Sequence, residues 1–470
     1  MPRTARRVPR RGDTGLWVGY GGARMDSARS AEHHGCPPSF SGVACMNDMS
    51  SPELSTLTVS RARLEGRVTL NGAKNSSLRL LAASLLTAGP VTLTNYPSGL
   101  LDAQVHVRML EALGKRAEPV SASEIRITEG RAPASRLVWD GRSIRNTLLI
   151  LGALTARTGA GAVPLPGGCK LGERKYDLHV MLLERLGARV WEEGDYLCAE
   201  APTGGLVGAD ILLPMRSTGA TENAILCGCL AKGVTRIWNP HIRPEILDLI
   251  ALLQGMGAQI RVFGQEHIEI TGSEGLDGVT HRVIADNMEA VTWLAAAVIT
   301  GGDVEIAEFP TSDLEVVLTH LRAAGARLYH GEESLIVRGG ACYPIEISTG
   351  PHPGINSDVQ PILAAWAAHA RGESRIIDLR FPGRYGYAVE MARMGVDYEI
   401  AGDLLKIHGT GGGLHGASVR ALDLRAGAAL TLCGLTATGE TTITDAWQIS
   451  RGYMDFAAKL ESLGAKVRVG

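Results

Sequence analysis

From residue 52 to the C-terminus the apolar positions follow two alternating rhythms. Stretches with apolar residues three and four apart, the period of a helix face, give way to short runs alternating apolar and polar, the period of a strand. The pattern recurs. "HVRMLEALGKRAE", "HVMLLERLGARVW", "DLIALLQGMGAQI", "VVLTHLRAAGARL", "GYAVEMARMGVDY" and "DFAAKLESLGAKV" are six versions of one helix-to-strand junction. Their shared glycines, Gly114, Gly187, Gly257, Gly325, Gly395 and Gly464, lie 68–73 residues apart. A glycine in this place ends a helix with a left-handed residue before the chain turns into a strand. So constant a period signals a repeated supersecondary unit.

A second helix precedes each junction, as in "LRLLAASLLTAGPVTLTNYP" and "ILAAWAAHARGESRIIDL". It is rich in Ala and apolar nearly all round, which predicts burial among its fellows. One unit reads helix–strand–helix–strand–strand and is too small to hide its own apolar face. Six such units predict an α/β protein of two domains with three repeats each, helices inside and sheets outside. The expected domains are 74–283, holding repeats 1–3, and 52–73 plus 284–470, holding repeats 4–6. The cleft between them is the natural place for a ligand.

Composition narrows the class. The 470 residues carry 47 basic and 49 acidic side chains, with 45% apolar and only 5% aromatic residues. This lacks the basic bias and stacking aromatics of a nucleic-acid reader. No apolar run is long enough to span a bilayer. Eight cysteines are scattered without metal-ligand or framework spacing, which suits a reducing cytosol and predicts a cytoplasmic protein. Cys227 and Cys229, in "NAILCGCLAKG", read as buried helix filler. The opening 1–51 is rich in Arg, Gly, Pro and Ser and has no continuous apolar core. It reads as a disordered tail or an over-extended start, ahead of Met46 and Met49.

One stretch carries chemistry. In "PGGCKLGERKYDLH", residues 166–179, Cys169 follows two glycines and precedes Arg174. A metal ligand, a redox thiol, an acyl-transfer nucleophile and a proton donor are all open, although no Cys or His partner stands at metal-ligand spacing. Neighbouring glycines and the lack of apolar periodicity argue against burial.

The six-fold period, together with "NGAKNSSLRLLAASLL", "LPGGCKLGERKYDLH", "SDVQ", "LDLRAGAAL" and "ISRGYMDFAAKLESLGA", resembles the enolpyruvyl transferases over roughly 52–470. The likeness is closest to the branch acting on UDP-N-acetylglucosamine. It implies a two-domain inside-out α/β barrel. It also implies transfer of the enolpyruvyl group of phosphoenolpyruvate to a sugar hydroxyl of a uridine nucleotide, with release of phosphate and without metal or organic cofactor. Such a donor carries a phosphate and a carboxylate, so its site needs several fixed cations. Lys74, Arg145, Arg174, Arg384, Arg425 and Arg451 come from both halves of the chain, so a whole site requires both domains.

By this resemblance Lys74, Arg174, Arg384, Arg425 and Arg451 hold phosphoenolpyruvate, and Asn75 and Arg145 face the acceptor. Asp358 is the carboxylate on the acceptor hydroxyl, although an Asp just before "VQPILAAWAA" also reads as a helix cap. Cys169, its pKa lowered by nearby arginines, delivers a proton to C3 of the donor or helps release product. Arg174, Asp177, Leu178 and His179 resemble the uridine-binding segment, and Ser217 and Gly219 the nucleotide loop. The acceptor side departs from the family. Lys175 replaces a proline, Met215 a lysine, and Asn287 an arginine; Arg216 is added; "GIN" and "PG" replace usual pairs near Asp358 and Arg384. Such drift implies a changed acceptor, for which the ribose of UMP, as in nucleoside-antibiotic relatives, competes with UDP-N-acetylglucosamine. A shikimate acceptor and a catalytically inactive nucleotide-binding paralogue are the remaining alternatives. Retention of Lys74, Cys169, Asp358 and the arginines speaks against the latter.

Overall fold

The computed structural model describes residues 55–142, 144–165 and 176–470. The expected tail, Cys169, Arg174 and Lys175 lie outside them. Twelve α-helices run through the described residues. They are α1 (Lys74–Ala83), α2 (Leu101–Ala112), α3 (Thr147–Thr158), α4 (Asp177–Arg185), α5 (Thr218–Gly228), α6 (Pro244–Gly255), α7 (Asn287–Ile299), α8 (Thr311–Ala323), α9 (Gln360–His369), α10 (Gly386–Ala392), α11 (Leu424–Gly434) and α12 (Phe456–Ser462). None is long and apolar enough to cross a membrane.

The odd-numbered helices form the inside. All ten residues of α9 are buried, as are nearly all of α7 and α11. Small residues let these helices approach closely. A methyl group on Gly152 of α3 would lie 1.8 Å from the Asn223 side chain of α5. The even-numbered helices are amphipathic and end at the predicted glycines, all six at positive φ between 90° and 109°. Cys227 on α5 and Cys229 just past its end are fully buried, which pushes both thiols far up.

The apolar side chains gather in two clusters. One runs from Leu78 to Val283; the other takes Leu57–Leu70 together with Met288–Ala465. Six sheets surround the helices, giving the two-domain inside-out α/β barrel with three repeats per domain.

Five of the six sheets hold one strand more than the sequence pattern suggests. Short segments such as Asp210–Leu212, Glu346–Ser348 and Ser418–Arg420 add in parallel to the first strand of the unit that follows. In the second unit this strand shrinks to a bridge between Arg136 and Ala162. Three residues are too few to show alternation, so the pattern passes them over.

At the domain boundary these edge strands are exchanged. Glu65–Thr69 stands before α1 but pairs with Asp303–Ala307 of the fourth unit. Val279–Arg282 stands before α7 but pairs with Val91–Thr94 of the first. The chain therefore crosses between domains twice, and the crossing segments bond to each other. Ala73 N–H donates to Ile284 O at 2.7 Å, and Asp286 N–H to Asn71 O at 2.9 Å. A side chain at Gly72 would collide with Asn95 O, which lies 1.8 Å from where its Cβ would stand.

The second crossing ends on a double cap. Asp286 Oδ1 accepts from Met288 N at 2.8 Å and Glu289 N at 3.0 Å, closing the start of α7. Its Oδ2 accepts from Lys74 N at 3.0 Å, the first N–H of α1, which has no cap of its own. One carboxylate satisfies helix starts in both domains. Asp286→Ala should cost about 2–4 kcal/mol in urea unfolding, because two caps are lost and buried N–H groups are orphaned. Asp286→Asn, which keeps one acceptor oxygen, should cost less. A loss below about 1 kcal/mol for the alanine variant would remove Asp286 from this role.

Candidate active site

The predicted site residues collect at the starts of the inner helices. Lys74 opens α1, Arg145 precedes α3, Ser217 caps α5, Asp358 lies two residues before α9, and Arg425 is the second residue of α11. Helix starts carry partial positive charge and unpaired N–H groups, a setting suited to anions.

At one end of the cleft Asp102, 3% exposed on α2, ties the domains together. Its carboxylate accepts from Lys74 Nζ at 2.7 Å and from Arg451 Nε and Nη2 at 3.1 and 3.3 Å. Burial alone would raise its pKa, but Lys74 and Arg451 outweigh that and hold it below the usual value. Arg142 also faces Arg451 and Asp102, its guanidinium 4.2 Å over the Trp447 ring.

Next to this lies a second ion network. Arg384 donates through Nη1 to Asp358 Oδ1 and through Nη2 to Asp423 Oδ2, each at 3.1 Å. Asp423 in turn caps α11, accepting from Arg425 N and Ala426 N at 2.8 Å. Asn356 caps the 3-10 turn Ser357–Val359 that leads into α9, accepting from Asp358 N at 2.9 Å, so the Asp358 carboxylate is left to face arginines. Burial would raise the Asp358 pKa, yet Arg384, Arg425 and then Arg243 drive it well below the carboxylate range. Asp358 is therefore ionised but weakly basic at rest.

Arg425 is less fully paired than Arg384, which leaves only its Nε without a partner among the described residues. It is 1% exposed and sits 4.9 Å over the Tyr453 ring, facing Asp286 and Asp358. Its Nε and Nη1 have no hydrogen-bond partner among the described residues. Buried guanidinium donors are seldom left so.

The other end of the cleft holds the acceptor-side candidates. Ser217 Oγ accepts from Ala220 N at 3.4 Å. Gly219 packs on the buried His179, where a Cβ would lie 3.2 Å from Nε2. His179 Nδ1 bonds Asn223 Nδ2 at 3.0 Å, and Arg145 faces its ring. Arg216 Nε donates to Asn239 Oδ1 at 3.4 Å. Asp177 is exposed and Leu178 half-buried on the first turn of α4, and Asn75 is half-buried beside Lys74. Lys74 and Arg451 thus meet on Asp102, Arg384 and Arg425 face Asp358, and Asp286 touches both groups, through Lys74 N and electrostatically through Arg425.

Sequence reasoning passed over Asp102, Asp286, Asp423 and Arg243. Arg243 is bound by Glu245 through two 2.6 Å bonds and faces Asp358 from the other domain. Asp286 and Asp423 were legible as helix caps. For Asp102, whose partner Arg451 is 349 residues away, no local signal exists.

Relatives share this arrangement's fold. The family profile of EPSP synthase (3-phosphoshikimate 1-carboxyvinyltransferase) matches residues 59–460. The chain is 40% identical over 417 residues to UDP-N-acetylglucosamine 1-carboxyvinyltransferase of Caulobacter sp. strain K31, covering 87% of this chain and 95% of that one. It is likewise 40% identical to UDP-N-acetylglucosamine 1-carboxyvinyltransferase 2 of Carboxydothermus hydrogenoformans, covering 87% and 97%. Among solved structures, the enolpyruvyl transferase NikO from Streptomyces tendae matches with a TM-score of 0.81 at 26% identity, covering 89% of this chain and 99% of that one. EPSP synthase from Acinetobacter baumannii, at 21% identity and a TM-score of 0.70, over 88% and 100%, shares the fold. The protein is a carboxyvinyl (enolpyruvyl) transferase. It belongs to the EPSP synthase family.

Three histidines give the protein a defined acid sensitivity. Burial first, then Arg79, Arg145 and Arg243 in turn, lower His106 and His179 from 6.5 to about 3 and His241 to about 4. Each is neutral in the folded chain and takes a proton below pH 6.5 only when unfolded. Their contribution is intact above that pH and is lost as pH falls toward the folded values. The melting temperature should therefore drop between about pH 7 and about pH 5, before most carboxylates titrate. A flat profile over that interval would contradict the neutral assignment.

Proposed function

We propose that the protein transfers the carboxyvinyl group of phosphoenolpyruvate to a sugar hydroxyl of a uridine nucleotide, releasing phosphate. The observation that carries this reading is Arg425, a buried arginine with two unpartnered donors amid paired neighbours. An anionic donor would satisfy it. Lys74 and Arg451, held on Asp102, supply further cations, and Arg174 joins them by resemblance.

The chemistry follows in two stages. The acceptor hydroxyl oxygen bonds to C2 of the donor and gives its proton to Asp358, while C3 gains a proton from Cys169. Loss of a C3 proton and departure of phosphate from C2 then restore the double bond. Asp358 becomes a competent base only when the acceptor weakens its pairing with Arg384, since that bond holds it ionised and weakly basic.

Two acceptors are favoured by different observations. Direct contacts across the acceptor side, His352 N–H on His241 and Arg380 beside Met215 at 4.0 Å, favour a compact nucleotide, UMP accepting through a ribose hydroxyl. The names of the relatives at 40% identity favour UDP-N-acetylglucosamine. Incubation with phosphoenolpyruvate and each nucleotide, followed by phosphate release and product mass, decides between them. Turnover with neither would overturn the reading.

Arg425→Ala should lower kcat/KM for phosphoenolpyruvate by about two orders of magnitude, with Arg425→Lys intermediate, because the charge is kept and the planar fork lost. Unchanged donor kinetics in the alanine variant would remove Arg425 from the site. An epoxide phosphonate mimicking the donor should add one inhibitor mass to the wild type and none to Cys169→Ala. Intact-mass spectrometry without an adduct on the wild type would count against the placement of Cys169.

A further inference from the structure

His241 stands between two loops that the proposed reaction uses together. Its backbone N–H donates to Thr221 Oγ1 at 3.0 Å, and its Nδ1 lies 2.8 Å from Thr218 Oγ1, so the first turn of α5 grips it on two sides. Thr221 itself donates to Ser217 O at 2.8 Å, which makes the nucleotide loop and His241 one unit. On its far side Nε2 accepts from the backbone N–H of His352 at 3.2 Å. His352 belongs to the other domain.

The segment beyond His352 is stiff. Gly350 N donates to Ile355 O and Gly354 N to Pro351 O, both at 2.8 Å, folding residues 349–355 into a closed loop. Both ends are pinned to the buried Asp378, through Thr349 Oγ1 at 2.8 Å and Ser357 Oγ at 2.6 Å. Asp358 follows immediately. His352 thus lies within the stiff loop whose far end leads directly into Asp358.

We infer that His241 is a positioning residue, which links occupancy of the nucleotide loop at Ser217–Gly219 to the placement of Asp358 in the other domain. The assignment rests on the function proposed above. The bridge fixes the tautomer: Nε2 must be bare to accept from His352 N–H, so Nδ1 carries the proton and donates to Thr218. Arg243, Glu245, Arg380 and His352 face the ring, and Asp313 faces His352 in turn. Burial, with Arg243 next, keeps His241 neutral well below physiological pH, so the bridge is standing whenever the enzyme works.

Two substitutions separate the halves of this bridge. His241→Asn retains a donor for Thr218 but cannot reach His352. His241→Gln places an acceptor near the Nε2 position and restores the reach. In His241→Asn the KM for the nucleotide should rise about tenfold, the loss expected for one interdomain hydrogen bond, and kcat should fall as Asp358 loses its placement, with the phosphoenolpyruvate KM unchanged. Amides of residues 349–356 should exchange hydrogen faster in the same variant, with or without nucleotide. His241→Gln should return both measures toward wild type. An unchanged nucleotide KM together with unchanged exchange in His241→Asn would overturn the inference, as would failure of His241→Gln to restore either. If the wild type releases no phosphate with UMP or UDP-N-acetylglucosamine, the proposed function fails, and amide exchange alone then judges the bridge.

Discussion

The site depends on one carboxylate at the place where the chain changes domain. Asp286 is 5% exposed and accepts three backbone N–H bonds, two from α7 and one from α1. Without it, the starts of two inner helices in different domains would have no common anchor. With it, Lys74 on α1 and Arg425 on α11 face the same small region, since Asp286 acts electrostatically on Arg425 as well. The exchanged edge strands give this arrangement its stiffness. Glu65–Thr69 completes a sheet of one domain just before the first crossing and Val279–Arg282 a sheet of the other just before the second, so each crossing segment leaves from a paired strand.

Around that anchor the charges are shared in a particular way. Asp102 divides itself between Lys74 and Arg451, and Arg384 divides itself between Asp358 and Asp423. Buried ion pairs of this kind add little net stability, because desolvation offsets most of the attraction. Their value lies in preorganisation, holding charges in place before a substrate arrives. Arg425 is left out of the pairing. Tyr453 and the nearby carboxylates stabilise its charge without taking up its Nε and Nη1 donors. A cation supported by its surroundings yet free to donate is suited to an incoming anion.

Legibility in the sequence followed the range of each interaction. The helix-ending glycines and the near-complete burial of α9 are local matters of backbone sign and residue type, and the repeat exposes them six times over. Asp423, directly before an apolar helix, carries a cap signal within three residues. Asp358 carried the same signal, but Asn356 two positions earlier takes the cap, and only the tertiary approach of Arg384 shows where the carboxylate goes. The second service of Asp286, to a helix 212 residues away, has no local trace. Nor do the three-residue edge strands, which exist because a neighbouring strand offers its edge rather than because of their own pattern.

The two ends of the cleft are closed by bonds of different character, and this bears on how the domains work together. At one end the Asp102–Arg451 contact joins opposite charges, with Asp102 almost wholly removed from water. Breaking it leaves Asp102 with Lys74 as its remaining partner, so the cost falls below the roughly 3–5 kcal/mol of a fully uncompensated buried charge. At the other end the His352–His241 contact is a single neutral hydrogen bond, worth about 1 kcal/mol net. The domains are therefore joined more firmly where the cations gather than beside the nucleotide loop. A donor entering the first place meets charges already fixed, while at the second the stiff loop that carries Asp358 is joined to the nucleotide loop by a single replaceable bond.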